Sequence, residues 1–289
     1  MLRFDPSELR KYAGLTLLAR NVVEGFLSGV HRSPFKGFSV EFAEHRAYTP
    51  GDEIRHIDWR AYGKTDRYYI KEFEEETNLK AYLLVDASGS MAYKGKGKQP
   101  SKFQYAQYVA ASLSFLMMHQ LDAVGLITHD TKVRNLIPPK ANPKHLLQVL
   151  RALENTKPGG ETSMAPMWHQ LAGHYLKRRG LIIILSDFFD DVDALTKAMR
   201  HLRHRNHEVV LFHVLDPDEI DFPFSKVTQF RNLEKADDRM MVDARRLRED
   251  YLRNFQTFCE QLTSERVTCT LIITCCAPTC RWTGRSAFI

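Results

Sequence analysis

The sequence predicts a doubly wound α/β fold on a mainly parallel sheet, from three observations. Apolar runs rich in β-branched residues, at Lys80 to Val85, Asp122 to His129, Leu181 to Leu185, Glu208 to Leu215 and Arg266 to Ile273, alternate with longer stretches of helical apolar spacing. Such alternation builds β-α units whose right-handed crossovers place helices on both faces of one sheet. Two of the runs stop abruptly at an acid, Leu83-Leu84-Val85 at Asp86 and Ile183-Ile184-Leu185-Ser186 at Asp187. In open α/β sheets the carboxyl ends of the strands form the edge where ligands bind. A site is therefore expected there, with Asp86 at a strand-to-helix turn.

The remaining elements follow in order. Asp5-Pro6-Ser7-Glu8 predicts a helix start, with Asp5 as cap, Pro6 in the first turn and Glu8 at the capping-box acid. The helix is expected to run to Ser28, with Leu9, Tyr12, Ala13, Leu17, Leu18 and Val22 as its apolar stripe. A loop-rich stretch follows, with strand-like pieces at Phe38 to Phe42 and Tyr68 to Phe73. Within it Ile54, Ile57 and Trp59 stand among Asp52, Arg55, His56 and Asp58, a segment expected to anchor apolar groups while pairing its charges. Lys102 to His119 has helical spacing, and Val133 to Ile137 reads as a short edge strand closed by Pro138-Pro139. A helix is expected from Asn142 or Pro143 to Glu154, and another over Ser163 to Lys177 with Met164, Met167 and Trp168 in the core. Val192 to Arg203 should be helical, with the basic stretch Arg200 to His207 at its end, where cations complement the helix dipole. Asp243 to Ser264 is a long amphipathic helix. The expected organisation is a 1–78 extension, a 79–275 α/β domain and a 276–289 tail.

In Asp86-x-Ser88-x-Ser90 the alternate residues can turn toward one point, offering a carboxylate and two hydroxyls. That is a hard oxygen set suited to Mg²⁺ or Mn²⁺, with room for water. Alone, the same residues equally make a turn and a helix cap. Pro158-Gly159-Gly160-Glu161-Thr162-Ser163 adds a glycine turn that delivers a hydroxyl at a helix head, and Asp187 supplies the second acid that firm binding of such an ion requires.

Asp86, Ser88 and Ser90, then Thr162, then Asp187 resemble in order and spacing the metal-ion-dependent adhesion site of von Willebrand factor A domains, over roughly residues 79–275. The resemblance implies the Rossmann-like strand order of that fold, with the strands ending at Asp86 and Asp187 as neighbours at the switch point. It also implies a divalent cation held by Asp86, Ser88, Ser90 and Thr162, supported by Asp187 directly or through water, with a partner's Asp or Glu carboxylate completing the coordination. Earlier in the chain, His31-Arg32-Ser33-x-x-x-Gly37 leads into Glu41-Phe42-x-x-x-Arg46-x-Tyr48-x-x-Gly51-Asp52-Glu53-x-Arg55-x-Ile57-Asp58-Trp59. This closely resembles the fingerprint of domain-of-unknown-function family fifty-eight, bacterial and archaeal A-domain proteins commonly encoded beside MoxR-type AAA+ ATPases. The resemblance implies an adaptor for such an ATPase in protein maturation or complex assembly. Many relatives carry N-terminal membrane helices and close with an acidic, leucine-rich helix, whereas this chain ends in Cys275-Cys276-Ala277-Pro278-Thr279-Cys280 and a basic tail.

Composition removes several other classes. A hydrophobic fraction of 44% and a charged fraction of 26% are globular values. No apolar run approaches the roughly 18 to 20 residues that span a bilayer, so no membrane segment is expected. The start Met1-Leu2-Arg3-Phe4-Asp5-Pro6 lacks signal-peptide character, and a cytoplasmic location is expected. The five cysteines are an odd number crowded near the end, so neither a disulfide framework nor a paired zinc site is expected. The net charge of +6 raises nucleic acid, but residues 1–78 hold 12 basic against 13 acidic residues and the excess is dispersed over the rest. No nucleic-acid partner is expected. Lys94, Lys96, Lys98 and Lys102 lie in a stretch expected to be solvated and to attract an acidic partner.

Catalysis would need a nucleophile and a base in register. His31, His56 and His129 are candidate bases and Ser88 a candidate nucleophile, but Ala87-Ser88-Gly89 is not a nucleophile elbow, and two carboxylates are few for metal-assisted hydrolysis. The expectation is a divalent-cation-dependent protein-binding module and no enzyme. The alternatives are a metal-dependent hydrolase and a metal-free scaffold with a degenerate site.

Overall fold

The computed structural model describes residues 40–49, 57–75, 79–95, 99–161, 164–176, 179–234, 238–264 and 270–276. The helix expected over residues 5–28, residues 52–56 with the expected anchor Ile54, and the tail beyond Cys276 lie outside them. The described residues fall into two compact units, divided between Leu79 and Lys80.

In the first unit, strands β1 (Val40–Ala47) and β2 (Tyr69–Glu75) pair antiparallel, with a register shift between Phe42 and Glu44. Both run past the expected bounds because each supplies the other's ladder. Helix α1 (Trp59–Thr65) lies between them in sequence, and Asp58 caps it, accepting from the N–H groups of Arg60 at 2.9 Å and Ala61 at 3.2 Å. Ile57 is buried as expected. Trp59 is 59% exposed and anchors nothing, because the cap makes it the first helical residue and turns it outward against Tyr62.

The second unit begins with β3 (Lys80–Asp86) and a 3₁₀ turn at Ser90–Ala92, then α2 (Lys102–His119), β4 (Ala123–His129), β5 (Val133–Lys140) and α3 (Pro143–Asn155). It continues through α4 (Met164–His174), β6 (Leu181–Ser186), α5 (Val192–His204) and β7 (Glu208–Leu215). The last elements are α6 (Pro217–Asp221), β8 (Val227–Arg231), β9 (Arg239–Asp243), α7 (Ala244–Ser264) and β10 (Thr270–Cys275). Six strands form one sheet in the order β10-β7-β6-β3-β4-β5, parallel throughout except for β5 against β4. This is the strand order of the von Willebrand factor A type.

Strand β5 does not close at Pro138-Pro139 but runs through both. As an edge strand it has one side free of ladder partners, where residues lacking an N–H are tolerated. The helix α6 and the β8–β9 ribbon are not announced by periodicity. Ser101 and Gln104 form a capping box that starts α2, the side chain of each accepting from the other's backbone N–H.

Side chains alternate across the sheet. Leu83, Val85, Leu126, Ile183 and Leu185 pack with Phe103, Ala106 and Ala110 of α2 and Val149, Leu150 and Leu153 of α3. Leu84, Ile127, Ile182 and Ile184 pack on the other face with Trp168 and Leu171 of α4, Leu195 and Leu202 of α5, and Leu262 of α7. Each such side chain contributes about 1.5 to 3 kcal/mol by leaving water. Among the described residues no helix is long and apolar enough to cross a membrane.

Candidate functional site

The parallel register puts the ends of β3 and β6 side by side, with Val85 opposite Leu185. Asp86 therefore lies beside Ser186, and its neighbours outward are His129 on β4 and His213 on β7. All four side chains are fully buried.

Asp86 has only neutral partners. One carboxylate oxygen accepts from the Ser88 N–H at 2.9 Å, and the other from the Ser186 hydroxyl at 2.6 Å. Burial raises the Asp86 pKa well above the carboxylate range, and the charge of Asp187 raises it further; the hydrogen bonds from Ser186 and Ser88 offset part of this. The Ser88 and Ser90 hydroxyls lie 3.0 Å apart, and the Ser90 side chain is close enough to Asp187 to favour its ionised form. Asp86, Ser88, Ser90 and Asp187 are thus brought together at one point.

Thr162 lies outside the described residues. The glycine turn leading to it is tied to the loop, with Gly89 N–H donating to the Gly160 carbonyl at 2.9 Å and Gly159 N–H to the Ala87 carbonyl at 2.9 Å. Gly160 has φ +93°, a left-handed conformation that glycine takes without strain. Arg134 holds the turn from the other side, donating to the carbonyls of Lys157 at 2.6 Å and Gly159, and to Asp130 at 2.8 Å. Sequence reasoning missed this clamp.

It also missed Lys102. Lys94 is exposed as expected and Lys96 and Lys98 lie outside the described residues, but Lys102 is 1% exposed at the head of α2, its ammonium 2.8 Å from Asp187 and 2.6 Å from Glu219. The capping box fixes that helix start, so the first side chain enters the sheet edge instead of the loop. Burial acts to lower the Lys102 pKa, but attraction to Asp187 and Glu219 overrides it and holds the group protonated. For Asp187, burial acts upward, and the Lys102 ammonium overrides it and brings the acid below the usual range. Glu219 is raised, chiefly by burial. It also completes the capping box of α6, accepting from the Asp216 N–H at 2.9 Å.

Two carboxylates, Asp187 and Glu219, flank the Lys102 ammonium, and the third, Asp86, faces the charge of Asp187; together the four groups carry an excess of two negative charges when all are ionised. Among the described residues no three His, Cys, Asp or Glu side chains converge as metal ligands. The set here is two carboxylates and two hydroxyls, and its oxygens and charge deficit fit a hard divalent cation. The fit has one reservation in chemistry: an oxygen of Asp187 is already engaged by Lys102, so a metal would share that acid.

Among the described residues no candidate base hydrogen-bonds Ser88. His31 and His56 lie outside the described residues. His129 and His213 make no hydrogen bond of ordinary geometry, and burial pushes each down to about 4.

In sequence the chain is similar to uncharacterized proteins of Mycobacterium bovis and Mycobacterium tuberculosis, each 25% identical over 251 residues that span 86% of this chain and 78% of the relative. Among solved structures it is similar to the conserved hypothetical protein BatB of Bacteroides thetaiotaomicron, with a TM-score of 0.45 and 13% identity over 68% of this chain and 90% of that one. It is also similar to an aerotolerance-related membrane protein of Bacteroides fragilis, with a TM-score of 0.42 and 16% identity over 66% and 96% of the two chains. Residues 44–258, most of the chain, match the family model described as "Protein of unknown function DUF58", and the chain belongs to that family.

Proposed function

We propose that the α/β unit is a protein-binding module that takes a partner's Asp or Glu carboxylate through a divalent cation, Mg²⁺ or Mn²⁺, held by Asp86, Ser88, Ser90, Thr162 and Asp187. The observation that carries this is Asp86, a fully buried acid with no cationic hydrogen-bond partner among the described residues, facing the charge of a second acid. The ion would supply Lewis acidity for recognition and relieve that charge. Ser88 and Ser90 would contribute neutral oxygens, and Lys102 would keep Asp187 in place. Turnover is not part of the proposal, since the Ser88 hydroxyl pairs with Ser90 and, among the described residues, no base hydrogen-bonds it. The family resemblance extends the proposal to a MoxR-type AAA+ ATPase as partner, with the module as its cytoplasmic adaptor in protein maturation or complex assembly.

Calorimetric titration with Mg²⁺ and Mn²⁺ tests the metal step. Wild type should give saturable binding and Asp86→Asn none, while both keep the same circular dichroism spectrum. Affinity purification from the native cell, with and without chelator, tests the partner. Recovery that ignores the chelator would sink the cation-bridged mechanism.

One contact favours a second reading, a metal-free scaffold. The Lys102 ammonium at 2.8 Å from Asp187 is a tethered cation that meets part of the charge deficit without a metal. This reading expects no heat from either ion.

A further inference from the structure

A second recognition surface borders the sheet edge. Strands β8 and β9 form a separate ribbon with Val227 opposite Asp243, Gln229 opposite Met241 and Arg231 opposite Arg239. Alternation puts these six residues on one face and Thr228, Phe230, Met240 and Val242 on the other. Phe230 alone anchors the latter face, its ring 5.9 Å from Phe222 and 5.3 Å from Phe224, with Phe222 4.5 Å from Tyr251 of α7, whereas Met240 on the same face is 63% exposed. The chain leaving β8 presses on the Asp86–Ser90 loop, where a Cβ on Gly89 would sit 2.4 Å from the Leu233 carbonyl oxygen. Between them is a cleft of about 220 Å³, bounded by Ser90 and Lys102 on one side and by Arg231 and Glu234 on the other.

The free face is costly as it stands. Met241 is 71% and Val227 60% exposed. Arg231 and Arg239 are exposed and directly opposed across the strands, and like charges so placed destabilise a ribbon. Among the described residues neither guanidinium has an ion-pair partner. Asp238 instead accepts from the Asn232 side-chain amide at 3.2 Å, and Arg245 and Arg246 pair with Asp243.

We infer that this face docks an acidic, amphipathic peptide segment of a partner protein, its carboxylates on Arg231 and Arg239 and its apolar side chains on Met241 and Val227. Guanidinium groups bind carboxylates bidentately, and flexible methionine accommodates varied apolar side chains. Glu219 and Glu234 line the cleft, so a carboxylate of the segment would reach the sheet edge only with the cation of the function proposed above in place, and that continuation rests on it. An anionic membrane is the weaker fit, because lipid surfaces are read by clusters of roughly 4 to 8 basic residues. Lys226, Arg245 and Arg246 add charge at the ribbon's other end, but Asp243 pairs with the two arginines there and shares the face with Val227 and Met241, so the face is mixed in sign and apolar rather than a basic cluster.

The test is fluorescence anisotropy of the full chain with a fluorescein-labelled peptide of alternating Glu and Leu, at low and high salt. A Lys–Leu peptide and phosphatidylserine vesicles serve as competing probes. Wild type should bind the Glu–Leu peptide saturably, weaker at high salt, and should ignore the Lys–Leu peptide. R231E/R239E should weaken binding by about tenfold or more, and M241S/V227S by roughly threefold. R231Q/R239Q, a milder change, should fall between wild type and charge reversal, with circular dichroism confirming the fold of each variant. Absence of Glu–Leu binding to wild type overturns the inference, as does equal binding by the arginine variants or binding to vesicles alone. Asp86→Asn separates the two claims. If peptide binding needs Asp86 but not the arginines, the ribbon is excluded and the metal site stands; if it needs the arginines but not Asp86, the ribbon stands and the metal site is left to the calorimetric titration.

Discussion

Asp86 and Asp187 end adjacent parallel strands, are equally buried, and lie close enough to feel each other's charge, yet they are in opposite electrostatic states. Asp86 meets hydroxyl and amide donors only, and burial makes its ionised form expensive. Asp187 meets the Lys102 ammonium at 2.8 Å, which more than offsets the same burial. The difference teaches that position at the sheet edge does not set the charge of these acids. The presence of a cation does, and the protein supplies one to only one of them.

The largest effect should come from removing that cation. Lys102→Met leaves Asp187 and Glu219 facing each other in low dielectric, and should cost about 3 to 5 kcal/mol in urea unfolding at neutral pH. The loss should shrink in acid, where the stranded carboxylates are protonated. Asp187→Asn should cost less, about 1 to 3 kcal/mol, because Lys102 keeps Glu219 at 2.6 Å. A smaller cost for the Lys102→Met/Asp187→Asn double variant than the sum of the singles would locate the coupling in this pair.

Asp86→Asn should shift the stability of metal-free protein by no more than about 1 kcal/mol, since the amide oxygen still accepts from Ser186 or Ser88. Its signature is in pH. The folded-state pKa of Asp86 is raised, so the cost of ionising it is absent below the unfolded value near about 4 and grows as pH rises from there toward neutrality. Chelated wild type should therefore lose stability across that window by a component that Asp86→Asn lacks. Asp187 has the opposite sign: its contribution is in place above the unfolded value and is lost as pH falls through its lowered folded value. A wild-type curve identical to that of Asp86→Asn would remove the contrast. Of similar size, Ser88→Ala should cost about 0.5 to 1.5 kcal/mol while weakening any Mn²⁺ binding seen by calorimetry.

Much of the fold is legible in local pattern. The helix Lys102–His119 and the strand Glu208–Leu215 fall where apolar spacing and β-branched content place them. Asp86 and Asp187 are legible as a pair because a strand-ending acid stands out in an apolar run, and parallel topology aligns such ends. Ser186 was within reach of the same reasoning, being the residue before Asp187. The prolines of β5 misled because tolerance of a missing N–H depends on whether the strand is an edge, which spacing does not reveal. Lys102 misled because it closes a lysine-rich stretch that looks solvated, and only its place at the first turn of α2 carries it inward.

The sequence by itself determined the alternation of strands and helices and the two acids at the strand ends, since both follow from interactions between residues near in the chain. Tertiary structure alone decided which acid receives a counter-ion, and what covers the loop beside them. Lys102 finds Asp187 across 85 residues and Glu219 across 117, and Leu233 meets Gly89 from the far side of the sheet's connections. Charge pairing acts over a few ångströms of space whatever the distance along the chain, so it becomes readable once the crossovers have closed.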